Sequence, residues 1–498
     1  MTVKDPDEGT ARASDAGNSR PLRVAVIGAG MSGILVGAKL LKRGIETVIF
    51  EKADSVGGTW RDNTYPGLAC DVAAHWYTYS FARNPDLNSV LASGSELKAY
   101  FERQAQTLGV TPLVRFGDGV ARIEYLDDKW EITTVAGYRG TFDVAIAAAG
   151  ILHHPNIPDF EGIETFEGAS FHSSRWDHDV PLDGRRVGVI GNGSTACQLT
   201  AALAPRVAHF DMFQRTAQWI MPRPNIPYTE EDKVRFRADP EAIEALVADS
   251  RRTSTEGYAA AVIDADSPAL VEMERLCLEN LASVRDPDLR EALTPHYRVA
   301  CKRLVMSSEF YDAIQKSNVN LVTSTIERIE PKGVRTADGV LHELDVLVLA
   351  TGFQTDRYIR PAKVLGRNGV DLDEIWASAP VAYLSVTVPD FPNFFMINGP
   401  NSPVGNFSAI ETSEAQLGYV LKLIDGLERR EYREVSTTKA AMDRFEAERR
   451  SAAKKTVWMT GCDSWYLDKT GVPASWTFTY ARFIAEMAAP KMEDFETR

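Results

Sequence analysis

The chain has 498 residues, more than one ordinary domain holds, and its 44% hydrophobic and 25% charged residues are the composition of a globular protein with a sizeable core. A formal net charge of -14 argues against general binding to nucleic acid or to an anionic membrane surface, because both need basic patches. No apolar run approaches the ~18 residues of a membrane span, and five cysteines without a CxxC pair predict reduced thiols in a soluble, cytoplasmic protein and no metal site.

Residues 1–21 are rich in Asp, Gly, Ser and Ala and predict a disordered tail. Leu22 to Gly30 reads LRVAVIGAG, the pattern of a buried parallel strand running into glycines. A helical period follows over 32–43 with Gly44 as its stop, and Thr47 to Glu51 reads as a second strand. Gly28, Gly30 and Gly33 therefore form GxGxxG between a strand and a helix. The first permits the turn, the second lets backbone approach a pyrophosphate, and the third lets helix pack on strand. Met31 and Ser32 open the helix whose N-terminus faces the anion. Glu51, followed by Lys52, stands where a carboxylate accepts hydrogen bonds from ribose hydroxyls.

Residues 120–149, beginning with Val120, read as hairpin strands returning to the first sheet, and both DVAIAAAG (143–150) and DVLVLATG (345–352) read as its strands. The grammar of strand, glycine loop and helix returns at Arg186 to Arg215, with Gly191, Asn192, Gly193, Ser194, Thr195 and Ala196 in the loop. Here the acidic position is taken by Arg215, followed by Thr216. A guanidinium there binds a 2′-phosphate, whereas a carboxylate repels it. One acidic and one basic unit imply two dinucleotides, FAD on the first and NADPH on the second.

The predicted architecture is α/β, with two Rossmann-like dinucleotide-binding domains, the second inserted in the first. Residues 22–150 begin the FAD-binding domain, 151–180 link it to an NADP-binding domain over 181–335, and 336–498 complete the first domain and the C-terminal segment. Residues 228–295, rich in Glu, Ala, Arg and Leu, predict a helical insertion in the second domain. Helices are expected at 411–427 and 476–489.

Residues 166–177 read FEGASFHSSRWD. Phe166, Gly168, His172, Trp176 and Asp177 match Phe-x-Gly-x-x-x-His-x-x-x-Trp-(Pro or Asp), so the chain resembles the type I Baeyer–Villiger monooxygenases from residue 22 onward. GGTWRDNTYPGLACD (57–71), CKRLVMSSEFYDAI (301–314), LATGF (349–353), GPNS (399–402) and SWYLD (464–468) resemble further segments of that family. The resemblance implies conversion of a ketone to an ester or lactone by way of a C4a-peroxyflavin, using FAD, NADPH and O2. It implies Arg303 as the catalytic cation, with Asp71 orienting it, since arginine keeps its charge beside an anion. It also implies Gly58, Thr59, Trp60 and Tyr77 near the flavin, Lys302 at the 2′-phosphate, Trp465 near NADP, and a structural or hinge role for His172. Ala69 departs from the family, which often has arginine there, and puts one polar contact on the nicotinamide side in doubt. The alternative is a flavin-containing oxygenase of amines or sulfides, against which Trp176 and Arg303 weigh. Substrate choice is expected to lie in 225–300 and 376–410, where apolar residues suggest a pocket.

Overall fold

The computed structural model describes residues 21–403 and 405–498; the tail expected over 1–21 lies, apart from Pro21, outside them. Two five-stranded parallel sheets organise the chain. The first runs, edge to edge, Phe394–Met396, Val144–Ala147, Arg23–Ile27, Glu46–Phe50 and Val114–Arg115. Its central strand is apolar at successive positions because both faces are covered, and Val24, Ala25 and Val26 are fully buried. Helix Met31–Lys42 lies on one face through Ile34, Leu35, Val36 and Leu40. The long helix Ala409–Glu428 joins the same core with Leu417, Val420 and Ile424.

The second sheet runs Val319–Val322, His209–Phe213, Arg186–Ile190, Val346–Leu349 and Ala169–His172, all parallel. Helix Ser194–Leu203 follows its central strand and buries Ala196, Leu199 and Leu203. The protein is thus α/β, with two dinucleotide-binding folds in one chain.

The structure corrects three expectations. DVAIAAAG and DVLVLATG do not share a sheet: Val144–Ala147 pairs with Arg23–Ile27, and Val346–Leu349 pairs with Arg186–Ile190. A run of small and branched apolar residues specifies a strand covered on both faces and says nothing of which sheet it joins. The two segments are counterparts, each beside the glycine-loop strand of its own sheet. Next, the stretch expected as linker supplies Ala169–His172, an edge strand of the second sheet. Finally, the hairpin strands Val120–Leu126, Lys129–Thr134 and Arg139–Phe142 form a separate sheet with Lys363–Leu365 instead of returning to the first.

The insertion is helical, with Glu230–Ala238, Pro240–Arg252, Ala259–Val262, Pro268–Leu281 and Pro287–Ala292. A π-helical segment, Thr253–Tyr258, interrupts it. Phe236, Ile243 and Val247 bury against Ala73 and Trp76 of the first domain. Glu411 fastens the same contact, accepting hydrogen bonds from Trp76 Nε1, Arg251 Nε and Tyr480 Oη, each at 2.7 Å. Among the described residues, no helix is long and apolar enough to cross a membrane.

The cysteines need a further correction. Cys301 and Cys462 form a disulfide with Cα atoms 6.1 Å apart, while Cys70, Cys197 and Cys277 are free and buried. The partners are 161 residues apart in sequence, so only the fold reveals that they meet.

Candidate active site

A cavity of about 1190 Å³ runs from one glycine loop to the other. Gly28 turns at φ +101°, and a Cβ there would stand 2.8 Å from Ala148 O. Gly191 turns at φ +121°, and its Cβ would stand 2.3 Å from Ala350 O. The equivalent strands thus close on both loops in the same way. A Cβ on Gly33 would meet Gly28 O at 1.9 Å, so this glycine serves helix–strand packing. Ala196 takes that role in the second loop and is fully buried.

Both loops fit a pyrophosphate. Helices Met31–Lys42 and Ser194–Leu203 start at Gly30 and Gly193, without a side-chain cap and without an acidic residue in the first turn. Their leading N–H groups are therefore left for an anion. Gly30, Met31, Ser32, Gly193, Ser194 and Thr195 line the cavity. A Cβ on Gly193 would meet nothing within 4 Å, so its bareness keeps the approach open.

Glu51 is buried at the end of its strand and lines the cavity. Its carboxylate accepts from Ala29 N at 2.8 Å and Ala53 N at 2.9 Å, and pairs with Arg61 Nη1 at 3.2 Å. An acceptor fixed in this way suits a ribose hydroxyl. Lys52, which also lines the cavity, has its ammonium pulled below its ordinary pKa, chiefly by burial. Gly58 lies against Gly30, where a Cβ would come within 3.0 Å of Gly30 Cα. Thr59, Trp60, Tyr77 and Val120 continue the wall, with the Trp60 and Tyr77 rings edge to face at 5.5 Å.

In the second unit, exposed Arg215 and partly buried Lys302 line the cavity. Burial lowers the Lys302 pKa, opposed by the charge of Asp463 and reinforced by that of Arg215. Two cations sharing one locality fit a phosphate. Asn192 lines the cavity and donates to Gln214 Oε1 at 3.1 Å and to Thr216 O at 2.5 Å. Thr216 lies beside the lining, its carbonyl turned to Asn192.

Asp71 and Arg303 meet in the cavity, Arg303 Nη2 donating to Asp71 Oδ2 at 2.5 Å and Nη1 to Gly405 O at 3.3 Å. Burial pushes the Asp71 pKa up, but the Arg303 guanidinium, its hydrogen bond and the more distant Arg223 outweigh it and hold the carboxyl below its usual range. The charge of Asp71 holds the Arg303 pKa well above its ordinary value against burial. Both groups are therefore ionised. Lys302 turns the other way, its Nζ 5.0 Å from the Tyr297 ring centre. Trp465 lines the cavity, 42% exposed, and stacks at 4.2 Å on the buried ring of Tyr466.

His172 is buried. Its Nδ1 accepts from Ser174 N at 3.1 Å, so the proton lies on Nε2, which donates to Gly352 O at 3.0 Å. Burial lowers its pKa. A neutral ring tying the fingerprint to the chain beyond Val346–Leu349 is a structural clamp. Motif reading missed Ser254, delivered to the cavity by the π-helical segment, and Gly405, which acts through its carbonyl; neither carries a sequence signal. It also missed Arg61, though that residue lies within GGTWRDN.

Residues 21–230 match the flavin-binding monooxygenase-like family. A Baeyer–Villiger monooxygenase of Streptomyces coelicolor is 37% identical over 485 residues, covering 95% of this chain and 92% of its own. This chain belongs to the Baeyer–Villiger monooxygenases. A monooxygenase of Mycobacterium tuberculosis, described as uncharacterized, is 45% identical over 478 residues, covering 95% of this chain and 96% of its own. Among solved structures, the cyclohexanone monooxygenase of Rhodococcus sp. Phi1 bound to NADP+ superposes with a TM-score of 0.86 at 31% identity, covering 96% of this chain and all of that one.

Proposed function

We propose that this Baeyer–Villiger monooxygenase converts a small ketone to an ester or lactone, with FAD on the Gly28 loop, NADPH on the Gly191 loop and O2 as the oxygen source. The observation that carries the reading is the ionised Arg303–Asp71 pair inside the cavity joining the two loops. When bound, FAD supplies the redox chemistry, taking hydride from NADPH and activating O2, which side chains cannot do.

The chain's own residues supply charge, orientation and dryness. Arg303 presents a permanent cation to the negative charge that builds on the transferring oxygen and on the ketone oxygen. Asp71 keeps the guanidinium aimed through a charge-assisted hydrogen bond. Arg215 and Lys302 receive the 2′-phosphate and so select NADPH over NADH. Trp60, Tyr77 and Trp465 wall the site and exclude water, which strengthens every charge interaction within it. The reading extends to a cytoplasmic enzyme without nucleic-acid or membrane partners, supported by the acidic charge balance.

The test is NADPH consumption by purified, FAD-loaded protein against a panel of ketones, amines and sulfides, with products identified by mass spectrometry. A ketone-dependent gain of one oxygen as ester or lactone is expected. Oxidation of amines or sulfides alone would replace the reading with an N- or S-oxygenase.

A further inference from the structure

The Cys301–Cys462 disulfide joins two segments that both enter the cavity immediately beyond the cysteines. On one side come Lys302 and Arg303, on the other Asp463, Ser464 and Trp465. The second segment forms no helix or strand. Tyr466 anchors it from beneath, stacked under Trp465 and against Trp458 at 5.0 Å, with Tyr466 O accepting from Ala474 N at 2.7 Å. On the cavity side the disulfide is the covalent hold.

The first segment is constrained as well. Ala300, directly before Cys301, sits at φ +63°, a left-handed conformation that alanine rarely adopts and that persists only where the surroundings impose it. Cys301 is fully buried and Cys462 nearly so, packed with Val299, Trp458 and Tyr466. The crosslink therefore fixes the height of the Trp465 segment relative to the phosphate-side lysine and the catalytic arginine. A loop held in its binding conformation does not lose that freedom again when the ligand arrives, so its affinity is higher.

We propose that the Cys301–Cys462 disulfide is a positioning crosslink that holds the Asp463–Trp465 segment over the NADP site, and that reduction by a dithiol releases the segment and weakens NADP retention. This rests on the assignment of the Gly191 loop to NADP. In the reduction, a thiolate of the dithiol attacks one protein sulfur, the S–S bond breaks, and the other cysteine leaves as thiolate and takes up a proton. The second thiol of the reagent closes on the mixed disulfide, so the reagent supplies two electrons and two protons and becomes a cyclic disulfide. Intracellular disulfides, where they occur, serve this kind of redox-sensing role.

The experiment begins with a thiol count. FAD-loaded protein unfolded in guanidinium and alkylated without reductant should carry label on Cys70, Cys197 and Cys277 and none on Cys301 or Cys462; label on all five would overturn the proposal. Titration with NADP+, followed through the flavin absorbance, should then show affinity about 10-fold weaker for the Cys301→Ser/Cys462→Ser protein. Its flavin reduction at saturating NADPH should be unchanged, and protease should newly cut near 463–471. Should the double variant fail to hold FAD, the parent protein with and without dithiothreitol gives the same comparison. Equal NADP+ affinity and equal protease resistance in the two forms would overturn the proposal. A failed ketone assay beside redox-dependent NADP+ affinity would fault the Baeyer–Villiger reading alone.

Discussion

At the scale of single residues, the site on the proposed reading divides into groups that bind and one group, Arg303, that acts on the reacting atoms. Arg303 is held by Asp71 and Gly405 O. Its removal should spare cofactor loading and hydride transfer but remove the cation opposite the developing negative charge. Arg303→Ala should therefore consume NADPH and release H2O2, with ester or lactone formation down by at least about 100-fold. Product and peroxide yields measured side by side check this; normal product from the variant would remove Arg303 from the chemistry. In the proposed reading Arg215 contributes to binding instead. A charge-assisted hydrogen bond is worth about 1.5–3 kcal/mol, so Arg215→Ala should raise the KM for NADPH about 10- to 100-fold while kcat at saturation holds. The KM for NADH should scarcely move, because NADH has no 2′-phosphate to lose. A parallel loss for both nucleotides would mean that Arg215 shapes the loop and does not read the phosphate.

At the scale of elements, the helical insertion is held to the first domain by a small apolar seam and by polar contacts around it, among them Arg83 Nε with Glu244 Oε1 at 2.7 Å. Glu411 gathers Trp76, Arg251 and Tyr480. His75 lies buried in the seam against the Tyr228 and Phe236 rings at 5.2 and 4.9 Å. Burial first and Arg83 second lower its pKa from 6.5 to about 4, with the Asn84 backbone and then Glu244 opposing. The folded protein therefore keeps the ring neutral while the unfolded chain protonates it. The stability this contributes is complete above pH 6.5 and is lost as the pH falls toward 4, by at most about 3 kcal/mol. His75→Phe should match the parent in urea at pH 7.5 and exceed it at pH 5; identical pH slopes would show that His75 titrates freely. Sequence pattern reached the elements but not this seam. The strand–glycine–helix order was legible because a buried parallel strand must be apolar and a tight turn must be bare. The sheet to which 345–352 belongs was not, since its composition suits either one. Ser254 was invisible for a related reason: its place depends on a π-helical turn that no residue in TSTEGY announces.

At the scale of the whole molecule, the proposed reaction needs two nucleotide sites held in register, and one glycine lies tightly packed in a contact between them. The loop carrying Asp71 rests on helix Ser194–Leu203 of the second domain. Tyr65 Oη donates to Gln198 Oε1 at 2.7 Å, and Gln198 Nε2 donates to Ala69 O at 2.9 Å. Gly67 lies between these bonds at φ +82°, and a Cβ there would stand 2.8 Å from Gln198 O and 2.9 Å from the Ala202 Cβ. Neither atom is the tip of a flexible side chain, so Gly67→Ala must move the helix, the loop, or both. The Gly28 loop lies in the first sheet, away from this contact, so FAD content should be unchanged. The Gly191 loop opens the displaced helix, so the nicotinamide should be misplaced relative to the flavin. Misplacement of the order of an ångström costs about 100-fold in rate. Anaerobic stopped-flow reduction of the flavin by NADPH should therefore slow by about 10- to 100-fold in Gly67→Ala, with the visible spectrum of the oxidised enzyme intact. Reduction at the parental rate would mean that the two domains keep their register without the Gly67 contact, and that this contact serves only to close the surface.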